Sequence, residues 1–185
     1  VTTAHSPIAA ATTVGAVSLT VASLSRSVDF YTTRLGLQLL KQQGDTAHLG
    51  VGAEELLVLH EIPGAQRVPR TAGLYHFAIL VPSRRALGAA LKHLVDTGVP
   101  LQGAADHLVS EAIYLADPEG NGIEIYRDRD RAEWTIQGSE IQMATDPLDA
   151  QGVLAAAIGA PTDHGLAEGT RMGPRPSACR RHRRR

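Results

Sequence analysis

Val14-Gly15-Ala16-Val17-Ser18-Leu19-Thr20-Val21 alternates apolar with small or polar residues, the period of a half-buried strand. A helix follows over Ser27 to Leu35; Ser23 and Ser25 are its two candidate caps and Gly36 its stop. Three shorter strand patterns come next, at Leu37 to Gln42, Thr46 to Val51 and Glu55 to Ile62, before Pro63-Gly64 breaks the run. The order βαβββ then recurs. Leu74 to Val81 is a strand, Pro82-Ser83 opens a helix through Val95, and Gly98 ends it. Strands near Leu101, at Glu111 to Ala116 and at Ile123 to Arg127 complete the second unit.

Setting the first strands in register pairs Val17 with Phe77, Leu19 with Ile79, Val21 with Val81 and Ala16 with His76. A period of roughly 60 residues that occurs twice is not a solenoid. Two such units predict an α+β fold with paired sheets forming a curved, half-closed barrel. Its concave face would carry Ala16, Ser18, Thr20, His76, Ala78 and Glu124, and its other face would meet the helices.

Candidate chemistry centres on two strands. Asp117-Pro118-Glu119-Gly120-Asn121 reads as a tight turn, with Asp-Pro to start it and Gly120-Asn121-Gly122 tolerating positive φ. In the strand after it, Ile123 and Ile125 share one face and Glu124 the other. His76 is the single histidine of an otherwise apolar strand. A His and a Glu on separate strands are two-thirds of a metal triad; equally, they form a hydrogen-bonded pair in a solvated cup. His60, His107 and Glu111 are the candidates for a third donor, while His48 and His93 read as surface residues. Tyr114 and Tyr126 face the cup as packing or lining residues, and Ser18 has no His–Asp partners around it.

Charge and composition narrow the function classes. The seven arginines of residues 171–185, with no acid among them, leave 11 basic against 19 acidic residues in 1–170, a formal charge of −8. An acidic body excludes nucleic acid as the expected partner. One cysteine, Cys179, permits neither a disulfide framework nor a cysteine metal site within the chain and fits a cytoplasmic setting. No apolar run reaches membrane-spanning length, so no membrane partner is expected.

Taken together, Val17 to Val21, Ser27-Val28-Asp29-Phe30-Tyr31, Leu35-Gly36-Leu37, Tyr75 to Val81 and Asp117 to Tyr126 resemble the vicinal-oxygen-chelate superfamily of glyoxalases, bleomycin-resistance proteins and extradiol dioxygenases. Tyr75 to Pro82, Asp106 to Ala112 and Asn121 to Arg129 are similar to the N-terminal half of a two-domain catechol 2,3-dioxygenase. The resemblance implies two βαβββ modules in one domain and ring cleavage of a catechol-like substrate. Its cofactor would be Fe(II) or another divalent metal held by two His and one Glu. By position, His76 and Glu124 match the second and third ligands, while Ala16 stands at the first. The resemblance also implies that the working metal lies in the C-terminal half, so this chain is expected to be the non-catalytic half. Two alternatives remain: a metal-free binding or sequestering protein of the bleomycin-resistance type, and a glyoxalase-like metal-dependent lyase. In each case the partner is a small aromatic or other small molecule, received in a cavity lined by Ser18, Ala78 and Tyr126.

The expected organisation is a disordered leader over 1–13, the domain over 14–134 with modules 14–63 and 73–127, an extension over 135–158 and a linker and basic tail over 159–185. Asp146-Pro147 is expected to start the extension's helix, which runs through Ala157, with Asp146 as cap. Permitted codons for Pro174 to Arg183, read one base later, encode His-Val-His-Leu-His-Val-Ala-Asp-Ile, the start of another module. The arginine run is therefore read as an out-of-frame continuation, and the loss of a second half predicts an exposed apolar face and homo-oligomers.

Overall fold

The computed structural model describes residues 12–66, 74–138, 140–159 and 165–173. In the first module, β1 (Val17–Val21) leads through α1 (Leu24–Asp29) to β2 (Gln38–Gln43), β3 (Thr46–Val51) and β4 (Glu54–Glu61). In the second, β5 (His76–Leu80) leads through α2 (Arg84–Asp96) to β6 (Leu101–Asp106), β7 (Ser110–Ala116) and β8 (Gly122–Asp128). Short strands β9 (Ile136–Gln137), β10 (Glu140–Ile141) and β11 (Asp146–Pro147), the helix α3 (Ala150–Ala156) and β12 (Arg171–Met172) complete the described chain.

The two modules repeat one topology. One sheet has the order β1-β4-β3-β2, and the other β11-β6-β7-β8-β5-β12. In each, the first strand lies parallel to the last strand of its module: Leu19 pairs with Leu59, and Ile79 with Ile125. Leu19, Val21, Leu57 and Leu59 from one module join Phe77, Ile79, Ile113, Ile123 and Ile125 from the other in a single apolar core. The α+β class and the doubled βαβββ order expected from the pattern are the architecture found. The free edge of β5 is taken by β12, through antiparallel pairing of Met172 with Ile79.

Local chemistry sets the helix boundaries. Ser23, not Ser25, caps α1, accepting from the Arg26 amide, so the helix begins before Ser27 and buries that residue. A π turn over Phe30–Arg34 continues it, and Gly36 leaves with φ of 88°. Ser83 caps α2, whose Ala86, Leu87, Ala90, Leu91 and Leu94 face the core at helical spacing.

Two expectations are corrected. Asp146 and Pro147 form β11 on the edge of the sheet, opposite Asp106 and Ala105, and α3 starts later, with Asp149 accepting from the Gly152 amide at 2.9 Å. Proline has no N–H to donate and is tolerated on a sheet edge, and the second aspartate serves as the cap. The segment 165–173, expected within a disordered linker, binds both modules: Leu166 N donates to Gly36 O at 2.9 Å, and Gly173 N donates to Ala78 O at 2.8 Å. Leu166 and Met172 are the apolar anchors that hold it down, at 7% and 3% exposure. The leader through residue 11 and the basic tail from residue 174 lie outside the described residues.

The Asp117 turn is also more than a turn. Asp117 Oδ1 accepts from the Glu119 and Asn121 amides, at 2.9 and 2.7 Å, which fixes the loop. Its Oδ2 accepts from the Tyr31 hydroxyl of the first module at 2.7 Å. Glu119 Oε1 accepts from the Ala22 amide at 3.2 Å and from Arg26 at 2.5 Å. One turn of the second module therefore clasps the first.

Candidate functional site

The pleat of β5 and β8 puts His76, Ala78, Glu124 and Tyr126 on the face away from the helices, because Phe77, Ile79, Ile123 and Ile125 take the core side. His76 Nε2 comes to 3.0 Å from Glu124 Oε2, an ion-pair distance. The nitrogen is buried and, among the described residues, has no aligned hydrogen-bond partner. The Glu124 side chain is 1% exposed.

Glu124 is held from the other side. Tyr114, directly across on β7, donates its hydroxyl to Glu124 Oε1 at 3.0 Å. His107 Nε2 lies 2.8 Å from the same hydroxyl, and its Nδ1 lies 2.8 Å from Ala144 O. A carbonyl only accepts, so Nδ1 carries a hydrogen. The result is a chain from the extension through His107 and Tyr114 to the buried carboxylate. Burial, then the charge of Glu124, push the Tyr114 hydroxyl well above the usual phenol range, so it remains a donor at neutral pH.

The other donors considered are engaged elsewhere. Glu111 lies on the opposite face of β7, 1% exposed, with Arg84 Nε at 3.1 Å, Arg127 Nε at 2.7 Å and Arg129 Nη2 at 3.4 Å. His60 Nδ1 sits 3.1 Å from Thr46 Oγ1, His48 Nδ1 2.6 Å from Glu55 Oε2, and His93 Nε2 3.1 Å from Thr33 O. Ala16 precedes β1, is exposed, and offers only a methyl group. Among the described residues, no group of three or more His, Cys, Asp or Glu is placed to hold a metal ion.

Two cavities open beside His76. One, of about 380 Å³, is walled by Val14, Val17, Leu74, Phe77, Ala78 and Met172. The other, of about 430 Å³, is lined by Gln102, Tyr114, Leu115, Gly122 and Ile123. Of the residues expected to line a cavity, Ala78 does so. Ser18 is exposed on β1 and lines neither. Tyr126 is 2% exposed, packed on Ala78, Leu80 and Ala112, and covered by the Gly173 backbone: a Cβ built there would lie 2.3 Å from its hydroxyl. Tyr75, which the sequence pattern alone does not mark as a site residue, lines both cavities; its place beside His76 is the one signal that could have found it.

No helix is long and apolar enough to cross a membrane among the described residues. Residues 13–125 match the family model described as the Glyoxalase/Bleomycin resistance protein/Dioxygenase superfamily. A catechol-2,3-dioxygenase of Bacillus subtilis is 45% identical over 151 residues, which span 79% of this chain and 52% of that protein. The chain thus spans about half the length of that curated relative. A crystal structure of a glyoxalase/bleomycin resistance protein/dioxygenase domain from Frankia shares 26% identity at a TM-score of 0.55, over 64% of this chain and 98% of that one. A protein of the same description from Alicyclobacillus acidocaldarius shares 24% at a TM-score of 0.53, over 65% of this chain and 95% of that one.

Proposed function

The chain belongs to the glyoxalase/bleomycin resistance protein/dioxygenase superfamily, and from that membership we propose that it is a non-catalytic half of an extradiol-type protein, whose cup binds a small aromatic molecule without a resident metal. The relative named a catechol-2,3-dioxygenase supports the substrate class, and the half-length match supports the reading as one half.

The donor set carries the metal-free part of the proposal. Ferrous iron, or another divalent ion in a two-His, one-Glu site, needs three donors on one side and open positions on the other. His76 and Glu124 supply two, at 3.0 Å from each other. Position 16 supplies none, Glu124 has one oxygen committed to Tyr114, and Glu111 is enclosed by arginines. These residues do not fit the metal. What they can do is hold an organic hydroxyl against a fixed polar wall, with apolar side chains around it.

Cleavage of catechol is the test. The chain, reconstituted anaerobically with ferrous ion and then exposed to oxygen, is expected to form no yellow ring-cleavage product above the iron-only control. Sustained turnover would overturn the non-catalytic reading. A free-standing binding protein of the bleomycin-resistance type is the second reading, favoured by the two cavities beside His76. A glyoxalase-like lyase meets the same shortage of donors as the dioxygenase.

A further inference from the structure

Asn121 is the only asparagine in the chain, and glycine follows it. That pair is chemically labile. The asparagine side-chain carbonyl closes a five-membered ring with the next backbone nitrogen, and a glycine there has no Cβ to hinder closure. Two demands of the fold put the pair in place. Position 122 takes glycine because β5 packs closely on it: a Cβ there would fall 2.5 Å from Tyr75 O and 2.9 Å from His76 Cβ. Position 121 takes an amide because its Nδ2 donates to Asp117 Oδ2 at 2.9 Å, where a carboxylate has no hydrogen to give.

The same contacts restrain the reaction. The Asn121 backbone N–H donates to Asp117 Oδ1 at 2.7 Å, and its carbonyl accepts from the Asp117 N–H at 3.0 Å. With Nδ2, three hydrogen bonds commit Asn121 to one residue. Asp117 is held in turn by the Tyr31 hydroxyl of the first module at 2.7 Å. Asn121 and Gly122 are both half-buried, within reach of water.

We propose that Asn121-Gly122 is a deamidation site gated by the clasp between the modules, kept intact while Tyr31 and Asp117 hold the turn and converted when the turn opens. Gly122 N attacks Asn121 Cγ and gives up its proton; the Cγ–Nδ2 bond breaks, and Nδ2 leaves as ammonia with that proton. Water then adds across one of the two imide C–N bonds, with no change of oxidation state. Opening at Cγ gives aspartate. Opening at the backbone carbonyl gives isoaspartate, which lengthens the main chain by one carbon just before β8. Either product sets a second negative charge against Asp117 in place of a donor, so the turn does not close again as before. The conversion is a one-way record of clasp opening.

Ageing the full chain in warm, mildly alkaline buffer tests it, with mass spectrometry of the peptide that contains position 121. Tyr31→Phe keeps the ring and leaves Asn121 untouched. Loss of one hydrogen bond to a charged group is expected to raise the open population, and with it the conversion rate, by at least about tenfold. Gly88→Ala crowds α2 against α3, with a Cβ 2.1 Å from Val153 O, and is expected to leave the rate near that of the parent, because opening at the clasp is local. The parent in urea, with the turn fully open, is expected to convert fastest. An unchanged rate in Tyr31→Phe, or equal acceleration in Gly88→Ala, would overturn the gating. A chain whose Asn121 stays an amide even in urea would overturn the site itself.

Discussion

Replacing Tyr31 with phenylalanine removes one oxygen atom and tests the clasp between the modules. Tyr31 is fully buried, and its hydroxyl donates to Asp117 Oδ2 at 2.7 Å, across 86 positions of sequence. Burial, and then the Asp117 charge, push that hydroxyl far above the phenol range, so it stays a donor throughout the working pH range. The ring remains in Tyr31→Phe, so no cavity opens. Asp117 keeps the Glu119 and Asn121 amides and the Asn121 side chain at 2.9 Å, so it is not orphaned. The loss is one hydrogen bond to a charged group, worth about 1.5–3 kcal/mol. Urea unfolding followed by circular dichroism should show this as a lower midpoint with unchanged slope; at a slope of about 2 kcal/mol/M, the midpoint falls by roughly 1 M. Asp117→Asn and the double variant complete a cycle, with an expected coupling above about 1 kcal/mol. A midpoint shift in Tyr31→Phe equivalent to less than about 0.5 kcal/mol would refute the claim that this contact joins the modules.

Other outcomes follow from the packing and the polar chain. Gly88→Ala should destabilise by about 1–3 kcal/mol, since its Cβ would lie 2.1 Å from Val153 O where α2 crosses α3; hydrogen exchange in 150–156 should accelerate. Tyr114→Phe deprives Glu124 of its donor and His107 of its partner, and should cost about 1–3 kcal/mol while changing the His107 ring resonances in NMR. The Gly152 amide, and then Arg84, hold the Asp149 carboxyl below the usual value. A depressed carboxylate gives stability that is present above its unfolded pKa and lost as pH falls through the folded one. The α3 amides should therefore gain exchange protection from pH 3 to pH 6 in the parent but not in Asp149→Asn, measured against intrinsic exchange rates.

The doubled βαβββ order was legible because each strand and helix carries its own period, and Ser83, Gly36 and Gly98 punctuate it. His76 and Glu124 were legible as a polar pair on apolar strands, and they meet. What was not legible lies in contacts distant along the chain. Nothing near Asp117 announces Tyr31, because a turn-forming aspartate looks the same with or without a distant donor. Asp146 and Asp149 are equally good caps locally, and only the free edge of β6 decides between them. The glycine-rich segment 165–173 reads as a linker by composition, yet Leu166 and Met172 pin it across both modules. Tyr126 faces the cup by parity, as expected, but Gly173 seals it, and parity carries no information about a strand arriving from elsewhere.

Metal stoichiometry tests the central claim most directly. Anaerobic equilibrium dialysis of the full chain against micromolar ferrous ion, with His76→Ala in parallel, reads whether two donors and a methyl make a site. The account predicts far less than one iron per chain and no difference between parent and variant. One iron per chain, lost in His76→Ala, would contradict it.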